Sequence, residues 1–174
     1  MFELHAISKS AGPEFYRELS RQLESLLAGE TDPVANAANT AALLFHTMSG
    51  VNWVGFYFLR GNGELVVGPF QGKPACVRIP GGQGVCGAAV MRRRPVLVSN
   101  VQAFAGHIAC DPDTRSELVV PLIDAGRVVG VLDLDSPQLS RFNEDDLKGL
   151  ECAAEIYVKA SLLGPTAYMP AQAI

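Results

Sequence analysis

Four cysteines are the residues of this sequence with the most reactive side chains. Cys76, Cys86 and Cys110 lie in or beside segments rich in glycine, proline and turn formers. Their spacings include no Cys-x-x-Cys pair, and His107, three residues before Cys110, is a weak metal signal. Thiols on irregular segments predict redox chemistry without a metal. Cys152 lies among alanines and a leucine in a predicted helix and is interpreted as inert core.

The surroundings of the thiols rank them as nucleophiles. Cys86 comes near the start of a predicted helix, where the helix dipole lowers a thiol pKa. Cys110 is close to Asp111 and Asp113, whose charges raise a thiol pKa unless a cation or a ligand compensates. From these residues alone, Cys86 is the expected nucleophile.

Three carboxylates are predicted to meet on one face of a β-hairpin. Asp133 and Asp135 lie two residues apart in the strand-like run RVVGVLDLDS, so they share a face. A three-residue loop over 124–126 avoids the positive φ that a two-residue loop requires at Ala125. That loop places Glu117 across from Asp133 and diagonal to Asp135, and crowding should raise at least one carboxyl pKa. The alternative is a solvated strand end whose acids keep an edge soluble.

Two aromatic residues are candidates for a pocket wall. Trp53 and Tyr57 lie four residues apart in the strand-like run VNWVGFYFL and therefore share a face. Their polar tips favour a pocket wall over plain core, although both interpretations fit the pattern.

Periodicity and turn signals predict the elements that position these residues. Helices are predicted over 13–28, 33–49, 85–93 and 144–163, and strands over 51–59, 64–70, 96–99, 117–123 and 127–135, with a short edge strand over 76–79 left open. Between them, 100–116 has little periodicity and is interpreted as a long functional loop. The order predicts an α+β fold, an antiparallel sheet of five or six strands with helices packed on it.

Composition limits the partners. The 174 residues, 48% of them apolar, predict one domain over 1–164 and a C-terminal tail over 165–174. A net charge of −4 argues against binding to nucleic acid or to an anionic membrane. Without a membrane-length apolar run or a signal-like start, a cytoplasmic location is expected, and no motif predicts a cofactor.

Four motifs together resemble one enzyme family. The segments NWVGFYFL, GPFQGKPACVRIPGGQGVCG, GHIACDPDTRSELVVPL and GVLDLDSP are similar, in that order, to free methionine-(R)-sulfoxide reductases, which are stand-alone GAF domains. The resemblance covers roughly 35–150. It implies a GAF-like fold, a homodimer, and reduction of the R-sulfoxide of free L-methionine with thioredoxin as final reductant.

The resemblance also implies roles for individual residues. It makes Cys110 the thiol that attacks the sulfoxide sulfur, Cys76 the partner that captures the sulfenic acid as a disulfide, and Cys86 an auxiliary or second resolving thiol. This assignment differs from the dipole argument for Cys86, and we follow the resemblance. The acids Glu117, Asp133 and Asp135 would bind the sulfoxide oxygen and supply its proton, or pair with the substrate ammonium, and Trp53 and Tyr57 would enclose the methyl-sulfur end.

Two interpretations from other classes compete with an enzyme. A GAF module can bind a small effector without chemistry, but no output domain is expected after this one. A thiol-based redox sensor could form the same disulfide and signal through a partner. The acid cluster favours turnover over both.

Overall fold

The computed structural model describes residues 12–163, and a six-stranded antiparallel sheet lies at its centre. The strands are β1 (Trp53–Leu59), β2 (Leu65–Gly72), β3 (Arg78–Ile79), β4 (Val96–Val98), β5 (Ser116–Asp124) and β6 (Arg127–Ser136). They lie in the order β3-β2-β1-β6-β5-β4, so β1 and β6 form the middle of the sheet and β5 pairs with β6. The predicted α+β class and antiparallel sheet are confirmed.

Helices cover both faces of this sheet. In the described part of the chain these are α1 (Pro13–Leu27), α2 (Pro33–Thr47), α3 (Gly84–Arg92) and α4 (Glu144–Ala160). α1, α2 and α4 pack on one face and α3 on the other. The Asp32 carboxylate caps α2 by accepting from the N–H groups of Val34 and Ala35, each at 2.8 Å. Asn143 and Asp146 form a capping box at the start of α4.

Alternation along β1 separates two cores. Val54, Phe56 and Phe58 are buried against the layer of α1, α2 and α4. Trp53 and Tyr57 point to the opposite face, into a smaller core that α3 covers. The predicted shared face of Trp53 and Tyr57 is therefore confirmed.

The turn between β5 and β6 differs from the prediction. Asp124 pairs with Arg127, which leaves a two-residue loop of Ala125 and Gly126. Both loop residues have positive φ, 44° and 75°, as a primed hairpin turn requires. The predicted three-residue loop is wrong, because the chain accepts a left-handed alanine here.

A β-bulge close to that turn sets the register of the acids. One extra residue of β6 enters the pairing, and Glu117 then lies opposite Asp135 instead of Asp133. Without the extra residue, Glu117 would face Leu134 and lie on the other side of the sheet from both aspartates. The predicted pairing is wrong, whereas the predicted convergence on one face is confirmed.

Cys152 is exposed, which corrects its interpretation as core. The buried stripe of α4 includes Leu150, Ala153 and Tyr157. At about 100° per residue, Cys152 lies roughly 200° around the helix from Leu150 and faces solvent. Its sulfur accepts a hydrogen bond from the Ser20 hydroxyl at 3.4 Å.

The other predicted elements are found with small shifts at their ends. The short edge strand considered over 76–79 forms only over Arg78–Ile79, so Cys76 lies in the preceding loop. The last helix ends at Ala160, before the predicted 163. The tail over 165–174 lies outside the described residues. Among the described helices, none combines the length and apolar character that crossing a bilayer requires.

Replacing the left-handed alanine tests the turn assignment. Ala125→Gly should stabilise the protein by about 0.5–1 kcal/mol, because glycine adopts positive φ without the Cβ clash that alanine has. Urea unfolding measures the change. As a matched control, Ala38→Gly on the exposed side of α2 should destabilise by about 1 kcal/mol. Equal destabilisation by both variants would contradict the assigned turn.

Candidate active site

A cavity lies on the α3 face of the sheet, below the loops that carry Cys76 and Cys110. The sequence-predicted site residues that line it are Trp53, Tyr57, Cys86, Cys110, Glu117, Asp133 and Asp135. The remaining one, Cys76, is bonded to Cys110. The structure thus brings together all the residues that the sequence singled out, and their chemical roles are taken up below as proposals.

Three carboxylates from adjacent strands form the floor of this cavity. Glu117 of β5 pairs with Asp135 of β6, which pairs on its other side with Trp53 of β1. Asp133 lies two residues away on the same face. Glu117 and Asp133 are each only 6% exposed, so water screens their charges poorly.

Burial and mutual repulsion raise the pKa values of these acids. Burial, then the charges of Asp133 and Asp135, raise the pKa of Glu117 well above its usual 4.5. Burial raises the pKa of Asp133 to about 7, and hydrogen bonds from its neighbours limit the increase. The pKa of Asp135 is also raised well above its usual value, by burial and by Asp133. Such a cluster retains protons near neutral pH and can donate one.

The start of α3 brings Cys86 into contact with the acids. A Cβ at Gly87 would lie 2.5 Å from the carbonyl carbon of Gly82, so only glycine allows the helix to pack this closely on the preceding loop. The Cys86 thiol donates to Asp133 Oδ2 at 3.4 Å and is buried. Burial, then the charges of Asp133 and Glu117, raise the pKa of Cys86 well above its usual 9.0. The lowered pKa expected from the helix dipole is wrong, because desolvation and the acids outweigh the dipole.

A disulfide joins Cys76 to Cys110 at the rim of the cavity, with the two Cα atoms 5.4 Å apart. The aromatic wall holds the loop that carries Cys76. Trp53 Nε1 donates to the carbonyl oxygen of Lys73 at 3.2 Å, and the Tyr57 hydroxyl donates to the carbonyl oxygen of Cys76 at 3.1 Å. The two rings stack, with centroids 5.8 Å apart. The pocket wall and the position of the loop are therefore coupled.

Ion pairs join the two cysteine loops beside the disulfide. Lys73 Nζ lies 3.3 Å from Asp111 Oδ1 and 2.5 Å from Asp113 Oδ2. Asn52 Nδ2 also donates to Asp111, at 3.3 Å. The backbone N–H of Asp113 and these side-chain partners lower the pKa of Asp111. This residue therefore stays ionised while the deeper acids retain protons.

Several cavity residues were not predicted as site residues. His107 is only a weak metal signal in the sequence, yet its Nε2 lies 3.7 Å from Glu117 Oε2, and burial lowers its pKa. Lys73 and Thr114 also line the cavity. A signal was available for each, because Lys73 shares the irregular segment of Cys76, while His107 and Thr114 lie in the long loop 100–116.

One set of side chains in the described part of the chain is compact enough to hold a metal ion. Ligand atoms of Cys86, Glu117 and Asp133 lie within 4.8 Å of one another. The thiol hydrogen bond and the retained protons of these acids already account for the close approach.

The fold and the site define the class of protein. Residues 23–159 match the GAF domain family, and the chain belongs to it. It is 50% identical over 137 residues to the free methionine-R-sulfoxide reductase of Escherichia coli strain K12. The matched region covers 79% of this chain and 82% of that protein. It is 38% identical over 154 residues to the free methionine-R-sulfoxide reductase of Saccharomyces cerevisiae, with coverage of 84% and 86%.

A solved structure agrees with these relatives. The X-ray structure of free methionine-R-sulfoxide reductase from Neisseria meningitidis in complex with its substrate superposes with a TM-score of 0.88 at 49% identity, covering 92% of this chain and 95% of that one. The chain is a member of the free methionine-R-sulfoxide reductase family, a group of GAF-domain oxidoreductases. The resemblance drawn from the motifs is confirmed.

The buried acids make stability depend on pH. Because folding raises the pKa of Glu117, the folded state retains a proton that the unfolded chain releases above about pH 4.5. The free energy of unfolding should therefore fall as pH rises from this value. Glu117→Gln removes the effect, so it should be close to the wild type in stability at pH 4.5 and more stable by about 2 kcal/mol at pH 8.

Urea unfolding at both pH values, with the disulfide intact, measures this difference. Glu24→Gln on the exposed side of α1 is the matched control and should change stability by the same small amount at each pH. A Glu117→Gln variant whose effect does not change with pH would show that this carboxyl is ionised in the folded protein.

Proposed function

We propose that this protein reduces free L-methionine-(R)-sulfoxide to L-methionine by thiol chemistry at Cys110. The observation that carries the proposal is the position of the Cys76–Cys110 disulfide over a cavity floored by carboxyls with raised pKa values. The names of the relatives supply the substrate, free methionine-R-sulfoxide. Two thiols and an acid are the groups that sulfoxide reduction requires.

In the first step, the disulfide has been reduced and the free Cys110 sulfur attacks the sulfoxide sulfur of the bound substrate. A carboxyl of the cluster protonates the sulfoxide oxygen, which is a poor leaving group until then. The S–O bond of the substrate breaks and its oxygen passes to the Cys110 sulfur. Methionine leaves, its sulfur reduced by two electrons, and Cys110 becomes a sulfenic acid. The proton that Cys110 loses passes to the carboxylate and restores the acid.

In the second step, the Cys76 thiol attacks the Cys110 sulfenic acid. Water leaves and a disulfide forms, so the oxygen that came from the substrate is released. The Cα separation of 5.4 Å between the two residues lies in the range for a disulfide, and this supports Cys76 as the resolving residue. Thioredoxin then supplies two electrons and two protons to restore both thiols.

Cys86 serves as an auxiliary thiol in this proposal. Its raised pKa and its burial make it a weaker nucleophile than a thiol at the rim. The hydrogen bond that it donates to Asp133 orients that carboxyl toward the cavity. It can resolve the sulfenic acid only after leaving Asp133, so Cys76 is the faster partner.

The rest of the cavity selects a free amino acid. Trp53 and Tyr57 enclose the methyl-sulfur end, since both are buried and their rings stack. The acids pair with the substrate ammonium as well as with the sulfoxide oxygen. A residue within a peptide has no free ammonium or carboxylate and would be rejected.

The protein is proposed to act as a homodimer in the cytoplasm, where thioredoxin is kept reduced. Sedimentation equilibrium should then give about twice the chain mass of 18.5 kDa. A monomer under assay conditions with full activity would reject the dimer alone.

A coupled assay tests the proposed activity. With thioredoxin, thioredoxin reductase and NADPH, the protein should consume NADPH when given free methionine-R-sulfoxide, but not with the S epimer or a peptide-bound sulfoxide. Cys110→Ser should reduce activity to background because the nucleophile is lost. Cys76→Ser should release one methionine per chain and then recycle weakly, because the sulfenic acid has no partner.

Cys152→Ala is the control, since this exposed thiol lies on α4, outside the cavity. It should retain wild-type activity. Equal activity on all three substrates would reject the specificity. A protein that forms the disulfide with peroxide yet consumes no NADPH with any sulfoxide would instead support a redox sensor.

A further inference from the structure

Thr114 presents an unsatisfied hydroxyl to the cavity. The residue is 6% exposed and lines the cavity together with Cys110 and Asp135. Its Oγ1 has no hydrogen-bond partner among the described residues. A buried hydroxyl without a partner destabilises a folded protein, so native structures rarely retain one unless water, an ion or a ligand supplies the missing hydrogen bond.

The backbone fixes this side chain in place. The Thr114 N–H donates to the carbonyl oxygen of Asp111 at 3.2 Å. On the other side, the N–H of Arg115 donates to the carbonyl oxygen of Ser136 at 2.8 Å. The carbonyl oxygen of Arg115 accepts from the N–H of Val101 at 2.9 Å. With both flanks bonded, the backbone keeps the buried Thr114 side chain at the cavity wall. Another buried threonine, Thr40, has a satisfied hydroxyl, which donates to the carbonyl oxygen of Asn36 at 2.7 Å.

The cavity wall around Thr114 is rich in carboxyl groups. Four carboxylates line it, those of Asp111, Glu117, Asp133 and Asp135. A second buried acceptor there, Asp133 Oδ1, also lacks a partner within the described range. The ammonium group of Lys73, which also lines the cavity, forms ion pairs with Asp111 and Asp113. A cation with several N–H donors, such as a primary ammonium, complements this wall because it can take the place of protons that the crowded acids retain without it.

We propose that Thr114 is a specificity-determining residue whose hydroxyl accepts a hydrogen bond from the α-ammonium group of the bound amino acid, beside a carboxylate of the cluster. The inference rests on the proposed function and deepens it by assigning the group that recognises a free amino terminus. An acylated α-nitrogen has no charge and one N–H at most, so it cannot satisfy both Thr114 and a carboxylate.

Thr114→Val tests the role of the hydroxyl, because valine replaces it with a methyl group of similar size. The KM for free methionine-R-sulfoxide should rise about 3- to 10-fold, with kcat within about twofold of the wild type. The substrate-free variant should melt about 1–4 °C higher, because an unsatisfied buried hydroxyl has been removed. Thr114→Ser retains the hydroxyl and should restore the wild-type KM.

Thr40→Val is the matched control and should show the opposite pattern, a lower melting temperature with an unchanged KM, because its hydroxyl is bonded within the protein. If Thr114→Val also melts lower and leaves the KM unchanged, the hydroxyl is structural and the proposal is overturned. A wild-type protein without sulfoxide reduction would reject the proposed function, an outcome distinct from this one.

The ammonium assignment needs a substrate that lacks this group. 4-(Methylsulfinyl)butanoate has the side chain and carboxylate of the substrate and no ammonium. Single-turnover formation of the Cys76–Cys110 disulfide detects even slow substrates, so it is the measurement used. Thr114→Val should slow the reaction with methionine-R-sulfoxide at low concentration and leave the reaction with the deamino analogue unchanged. Equal slowing of both would mean that the hydroxyl binds another group, and the assignment would be wrong.

Discussion

Burial of three carboxylates on one face of the central sheet is the constraint on which the site depends. Glu117, Asp133 and Asp135 come from two adjacent strands, and low exposure prevents water from screening them. Three negative charges cannot be kept together there, so the folded protein retains protons that the unfolded chain would release. The arrangement reduces stability at neutral pH, and proteins commonly retain such destabilising groups where chemistry requires them.

The burial that shifts the acids also shifts their neighbours in the smaller core. Cys86 and His107 both contact the acids, and neither has its ordinary pKa, since burial raises that of the thiol and lowers that of the imidazole. Asp111, closer to solvent and paired with Lys73, has a lowered pKa instead. Acids a short distance apart thus differ in protonation because one group is shielded from water and the other is paired with a cation.

The aromatic wall links the cavity to its reactive rim. Trp53 and Tyr57 fill the side of the cavity, and their polar tips also hold the backbone of the loop that carries Cys76. A thiol that must meet a second thiol needs a loop with enough freedom to move and a preferred position. Hydrogen bonds to carbonyl groups of that loop, together with the Lys73 ion pairs, supply the preferred position without burying the loop.

The amino-acid pattern by itself determined the α+β class, the antiparallel sheet and the shared face of Asp133 and Asp135, because period-two alternation depends only on local geometry. It also singled out residues that line the candidate site. Local reasoning failed where energies from distant groups decide. Ala125 adopts positive φ and a bulge shifts the register, because this pairing keeps Leu118, Val120 and Leu122 of β5 in the main core. The position of Cys86 near a helix start gave the wrong direction for its pKa, because burial and the charges of Asp133 and Glu117, which are remote in sequence, raise it. The exposure of Cys152 and the unsatisfied hydroxyl of Thr114 likewise became visible only once the packing of the whole chain had set their neighbours.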